Sequence, residues 1–133
     1  MKIRSTTTIV VSLVLFIFFG LAISVSADSI KIAVATTCPE KDAAISQQAG
    51  RTSFFLFFDN KGNFLETVEN PSRDQSRNAG PNAALFLADK GVTLVIAGDF
   101  GSKMKEALEE HHIQYVKKTG AAYSAVQTII QDR

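Results

Sequence analysis

The sequence predicts a small α/β domain: a mixed five-stranded sheet, made of a hairpin plus strand–helix units, with three helices packed on it. Three observations predict this. The apolar pattern changes period along the chain, in the order strand, strand, strand, helix, strand, helix, strand, helix. The second of these segments, Thr52 to Asp59, reads T-S-F-F-L-F-F-D and is apolar on both sides, as a strand covered on both faces must be. The length, 133 residues, suits one packed domain and is too short for two.

The N-terminal 27 residues read differently from the rest. Lys2 and Arg4 make a basic start, a polar spacer of Ser5 and three threonines follows, and an apolar run extends from Ile9 to Val25. The run closes on Val25-Ser26-Ala27, small residues of the kind signal peptidase cuts after. The expectation is a secretory leader, 1–27, and a periplasmic or extracellular domain, 28–133. The alternative is an uncleaved membrane anchor at 9–25, a run of about 17 residues at the lower limit for spanning a bilayer. No cysteine follows the run, so a lipoprotein anchor is not expected.

Without Lys2 and Arg4 the 14 basic residues fall to 12, against 13 acidic ones. A net charge of −1 gives no basic surplus for a polyanion, and no nucleic-acid partner is expected. One cysteine, Cys38, cannot form an intramolecular disulfide. It is a free thiol, an intermolecular bridge, a metal ligand or an inert buried residue.

Each element has its own justification. Ile30, Ile32 and Val34 alternate with Lys31, Ala33 and Ala35, giving the first strand. A loop from Thr36 to Gly50 carries Cys38. In the second strand Phe54, Leu56 and Phe58 face one way and Phe55 and Phe57 the other. Asp59 to Asn63 is a turn in which Gly62 supplies positive φ, and Phe64 to Glu69 returns as the third strand. Asn70-Pro71 ends the hairpin, and the polar residues up to Gly80 read as a surface loop. Pro81 fits the first helical position. Ala84, Leu85 and Ala88 form that helix's apolar stripe, and Gly91 stops it. Val92 to Ala97 is a short, wholly apolar strand. After Gly98-Asp99-Phe100-Gly101, Ser102 is placed to cap a helix whose face is Met104, Ala107, Leu108 and His111. Ile113 to Val116 is the last strand. Gly120 opens a final helix with Ala122, Ala125, Val126 and Ile129 on one face.

Several of these segments carry a family resemblance: Lys31-Ile32-Ala33-Val34-Ala35, Gly50-Arg51 before the phenylalanine strand, and Val68-Glu69-Asn70-Pro71 after the hairpin. The most specific stretch runs from Gly80 to Gly101, with an alanine-rich helix, Lys90-Gly91-Val92, an apolar strand and Gly98-Asp99-Phe100-Gly101. In that order and spacing they resemble the dinitrogenase iron–molybdenum cofactor biosynthesis family, the small domains related to NifX and to the C-terminal part of NifB. The resemblance spans about Lys31 to Ile130. It implies a ribonuclease-H-like sheet, non-covalent carriage of an iron–sulfur or iron–molybdenum cluster, and no catalysis. Where the family usually has His-Phe-Gly, a candidate cluster ligand, this chain has Gln48-Ala49-Gly50. That difference opens a second expectation, an accessory domain that binds an exported or membrane protein and has lost the cluster site.

The candidate site residues lie on loops at strand ends. Cys38 is the candidate metal ligand, or else a half-buried loop cysteine. Gly98, Asp99 and Gly101 join a buried strand to a helix N-terminus, where free N–H groups hold anions; the glycines also suit any tight turn. Arg51, at the mouth of the second strand, is suited to an anionic ligand or to a surface hydrogen bond. Gly101 is followed by Ser102-Lys103, the reverse of a P-loop ending. Adjacent His111 and His112 point about 100° apart on a helix and do not chelate one ion together; both suit the negative helix end. The first strand holds no acid for metal-assisted nucleic-acid hydrolysis, and no Gly-x-Ser-x-Gly appears, so an enzyme is not expected.

Overall fold

The computed structural model describes residues 31–133. The leader, the alternative anchor and Ile30 lie outside the described residues. Five strands form one sheet: β1 (Ile32–Thr36), β2 (Phe54–Phe58), β3 (Phe64–Glu69), β4 (Leu94–Ala97) and β5 (Gln114–Lys117). Three helices alternate with the later strands: α1 (Ala79–Asp89), α2 (Ser102–Glu110) and α3 (Ala122–Gln131). No helix among the described residues is long and apolar enough to cross a membrane.

The strand order is β3-β2-β1-β4-β5. β2 pairs antiparallel with β1 and β3, and β4 pairs parallel with β1 and β5. The sheet is therefore mixed, as the hairpin and strand–helix units require. Both crossovers, β3–α1–β4 and β4–α2–β5, step in the same direction across the sheet. Right-handed crossovers of one direction put their helices on one face, and α1 and α2 share one core. α3 returns over the opposite face.

The period-two pattern of the inner strands divides the core. Ala33, Ala35, Phe55 and Phe57 meet Leu87, Met104 and Leu108 under α1 and α2. Ile32, Val34, Leu56 and Phe58 meet Ala122, Ala125 and Val126 of α3. Small alanines on β1 let the two helices lie close over the middle of the sheet, while phenylalanines on β2 fill the volume beside them. Full burial of a phenylalanine or leucine side chain contributes about 1.5–3 kcal/mol, and Phe55, Leu56, Phe57 and Phe58 are all fully buried.

Local details differ from the sequence expectation in five places. Pro81 is the third residue of α1, because Asn78 takes a left-handed conformation (φ 59°, ψ 23°) and starts the helix early. The third N–H of a helix has no intrahelical partner either, so proline costs nothing there. The buried face of α1 is Ala79, Ala83, Ala84 and Leu87, and Leu85 points out, 47% exposed. Ser102 begins α2 without capping it; the N-cap is Gly101. His111 is the C-cap of α2 and exposed, so it does not extend the Met104–Leu108 stripe. At β3, Leu65 forms a bulge between the Phe57 and Phe58 pairings, which leaves it exposed.

Candidate functional site

After β1 the chain leaves toward β2, and after β4 it leaves toward β5, on opposite sides. Connections that diverge from the carboxyl ends of adjacent parallel strands leave a crevice between them, the usual ligand position in open α/β sheets. A cavity of about 470 Å³ opens at this point. Its lining comes from three segments: Gln47 to Arg51 after β1, Asn78 to Pro81 at the start of α1, and Asp99 with Gly101 to Met104 at the start of α2.

Backbone hydrogen bonds fix the first segment. Ser46 N–H donates to Ala35 O at 2.8 Å, Gly98 N–H to Ser46 O at 2.8 Å, and Ala49 N–H to Asp99 O at 3.2 Å. The loop after β1 is thus laced to the end of β4. Buried Asn70 secures its far end: its Nδ2 donates to Gly50 O and Thr52 O, each at 3.0 Å, and its Oδ1 accepts from Ser72 N–H at 3.0 Å. Thr52 Oγ1 donates to Thr36 O at 2.6 Å.

Glycines make the floor possible. A Cβ on Gly50 would lie 2.8 Å from Gly80 Cα, and a Cβ on Gly80 would lie 2.9 Å from Met104 Cβ. The three lining segments therefore touch backbone to backbone, and the leading turns of α1 and α2 converge.

Those turns supply the chemistry. The first N–H groups of a helix lack intrahelical partners and carry the positive end of its dipole. No side chain caps α1 or α2: Asn78 makes no capping bond, and Gly101 has no side chain to make one. Two uncapped helix N-termini thus face one cavity, with Arg51 and Lys103 on its lining. Convergent N–H donors and two cations select an anion.

Asp99 is the one carboxylate on the lining, and it is paired. Lys117 Nζ of β5 lies 2.9 Å from its Oδ1. That hydrogen bond, helped by Phe100 N–H and by the charges of Lys117 and Lys105, holds the Asp99 carboxyl below its ordinary value of 3.8. At neutral pH Asp99 is ionised and offset by Lys117, so the cleft keeps its positive character.

The structure brings three of the five candidates read from the sequence onto one cavity lining. Arg51, Asp99 and Gly101 line the cavity. Gly98 is not on the lining; it precedes Asp99 and packs so tightly against the lining residue Gln47 that a Cβ would meet that side chain at 2.6 Å. Cys38 does not line the cavity. It is exposed on the loop after β1, neither buried nor half-buried as expected of an inert residue, because the loop turns outward there; Thr37 Oγ1 approaches its sulfur at 3.9 Å. Among the described residues no group of three or more His, Cys, Asp or Glu side chains could hold a metal ion. The sequence reading missed Asn78, Lys103 and the close approach of Gly80 to Met104. Lys103 had a signal, since it follows a glycine at a helix start; the Gly80–Met104 approach depends on two helices meeting and had none.

Comparison with known proteins agrees with this geometry. The profile of the family described as dinitrogenase iron-molybdenum cofactor matches residues 29–132. The apo form of the orange protein from Desulfovibrio gigas is 30% identical, with a TM-score of 0.72 over 77% of this chain and 88% of that one. A NifB candidate from Thermotoga, 22% identical, superposes with a TM-score of 0.67 over 78% of this chain and 90% of that one. A dinitrogenase candidate from Methanocaldococcus jannaschii, 13% identical, gives 0.58 over 78% and 90%. The last two share the fold. No curated protein matches the chain. With the profile covering nearly every described residue, and the same sheet and helices in these neighbours, the chain belongs to the dinitrogenase iron-molybdenum cofactor family.

Proposed function

We propose that this protein is a non-catalytic binding domain that holds a small anionic metal cluster, of iron–sulfur or iron–molybdenum type, in the cleft between α1 and α2, and that it works outside the cytoplasm. One observation carries the reading: two helix N-termini without side-chain caps converge with Arg51 and Lys103 on a cavity of about 470 Å³. The lining contains no cysteine and no histidine. A cluster held there keeps its own inorganic ligands and is bound through its outer atoms, by hydrogen bonds and charge. Family membership supports a cluster as the cargo. The basic start and apolar run of the leader support export.

Anaerobic reconstitution of the full chain with iron and sulfide, with and without molybdate, tests the reading. After desalting, metal and sulfide should stay with the protein and give visible absorbance. Cys38→Ala should retain as much as the wild type. Loss of the metal in Cys38→Ala would move the site to the exposed loop. Absence of retained metal in both would favour the second reading, an accessory domain for an exported or membrane protein, to which Gln48 on the cavity lining, in place of the family's histidine, also points.

A further inference from the structure

The polar segment between β3 and α1 reads in sequence as a free surface loop. The structure shows it tied. Ser72 is buried, 2% exposed, and Arg73 N–H and Gln75 N–H close turns onto Asn70 O and Ser72 O. From Arg73 onward the side chains bury little. What holds this part is Arg51: its Nη1 donates to Gln75 O and its Nη2 to Ser76 O. Asn82 Nδ2 adds a bond to Gln75 Oε1 from α1. Two residues after Ser76, Asn78 turns through its left-handed conformation and α1 begins at the cavity.

Arg51 makes no ion pair among the described residues. Its partners are neutral carbonyls, so its charge is unmatched at the rim of the cleft. A guanidinium carries five N–H donors in a planar fork. Two are used on the carbonyls, and three remain for an anion without releasing the loop.

We infer that Arg51 is a strap. It clips the Gln75–Ser76 backbone, so positions the leading turn of α1 at the cleft, and an anion in the cleft completes its charge and tightens the clip. Arg51 is thus a positioning residue as well as a lining one. The strap itself stands on the hydrogen bonds above. The tightening by an anion rests on the proposed binding reading.

The segment carries its own reporter, because trypsin cuts after Arg73 and Arg77. Cleavage of a segment that opens locally tracks its open population. In the full chain without ligand, Arg51→Gln should raise the cleavage rate after both residues about tenfold or more, the scale of even one lost bond to a charged group. Cleavage after Lys61, in the β2–β3 turn, should not change, and the far-UV circular dichroism should stay that of the wild type. Arg51→Lys keeps the charge and lacks the fork, and should fall between the two. If Arg51→Gln does not fold, Arg51→Lys and Asn82→Ala still report, each with a smaller acceleration confined to the same two bonds. Wild-type rates after Arg73 and Arg77 in the folded variants would overturn the strap. Molybdate at constant ionic strength, used as the anion probe, should slow cleavage of the wild type and leave Arg51→Gln unaffected. An unchanged or faster wild-type rate would overturn the tightening alone. Failure of cluster retention with a normal Arg51→Gln acceleration would sink the binding reading and leave the strap standing.

Discussion

The start of α3 and the starts of α1 and α2 present the same problem and resolve it in opposite ways. Each helix begins without a side-chain cap. At α3 the backbone seals the end: Ala122 N–H donates to Ala43 O, Ile45 N–H donates to Gly120 O, and Ala44 bridges Ala121. At α1 and α2 no such strand lies across the helix ends, and the cavity lies there instead. The same loop after β1 does both jobs, since residues 43–45 close α3 and residues 47–51 line the cleft. Leaving donors open on one side and sealing them on the other places the free helix-end N–H groups, and with them the proposed anion site, on one side of the sheet. Unsatisfied backbone donors are costly when buried, so an open pair of helix ends is the feature to explain by function.

The largest effects should be alike on both sides and concern stability. Leu56→Ala, under α3, and Leu87→Ala, on the buried face of α1, each remove a fully buried side chain. Each should cost about 2–5 kcal/mol in denaturant unfolding. Only Leu87→Ala should also weaken anion binding, because α1 carries the cleft and α3 does not. Equal binding losses in the two variants would erase the distinction between the sides.

Next comes the floor of the cleft. Gly50→Ala places a methyl group 2.8 Å from the Gly80 backbone, which cannot yield as a flexible side chain would. A cost of about 1–3 kcal/mol is expected, together with altered amide shifts at Gly80 and Met104. Gly101→Ala meets open space at its Cβ and should leave both unchanged.

A smaller effect is expected for Lys103→Gln, which removes an exposed cation from the lining. Affinity for an oxyanion should fall about two- to fivefold at low salt, with little difference at high salt, as calorimetric titration at two ionic strengths would show. The smallest effect is the pH response of Asp99. Its folded pKa lies below 3.8, so its pairing with Lys117 contributes fully above that value and is lost as pH falls through the lowered folded value. Asp99→Asn should therefore differ from the wild type in pH dependence only below about pH 4, and only slightly, since the pair is exposed.

Much of the fold was legible because period two and full burial coincide in β1 and β2. The alternation that sends Phe55 and Phe57 one way and Leu56 and Phe58 the other is the division of the core itself. The phase of α1 was not legible. Alanines recur all round it, and Leu85, the obvious apolar residue, is on the wrong side of Ala83, Ala84 and Leu87. Helix starts were misjudged for a related reason: Asn78 uses a left-handed backbone and begins α1 ahead of Pro81, and Gly101 is the N-cap of α2 where the Ser102 side chain was the expected device. Within the site, Gly98, Asp99 and Gly101 were legible as a strand-to-helix turn, a local feature. Cys38 was drawn toward the cleft by its place after β1, yet the loop carries it outward. Only the lacing of residues 46–49 onto β4 decides which part of that loop faces the cavity, and those bonds are tertiary.

The most direct measurement is an amide chemical-shift map of the full chain titrated anaerobically with a reconstituted iron–sulfide or molybdenum–sulfide cluster. The account predicts that the largest changes fall on Gln47 to Arg51, Ala79, Gly80 and Gly101 to Met104, with Ala122 at the start of α3 unmoved. Changes centred on Cys38, or at the sealed end of α3, or none at all, would contradict it.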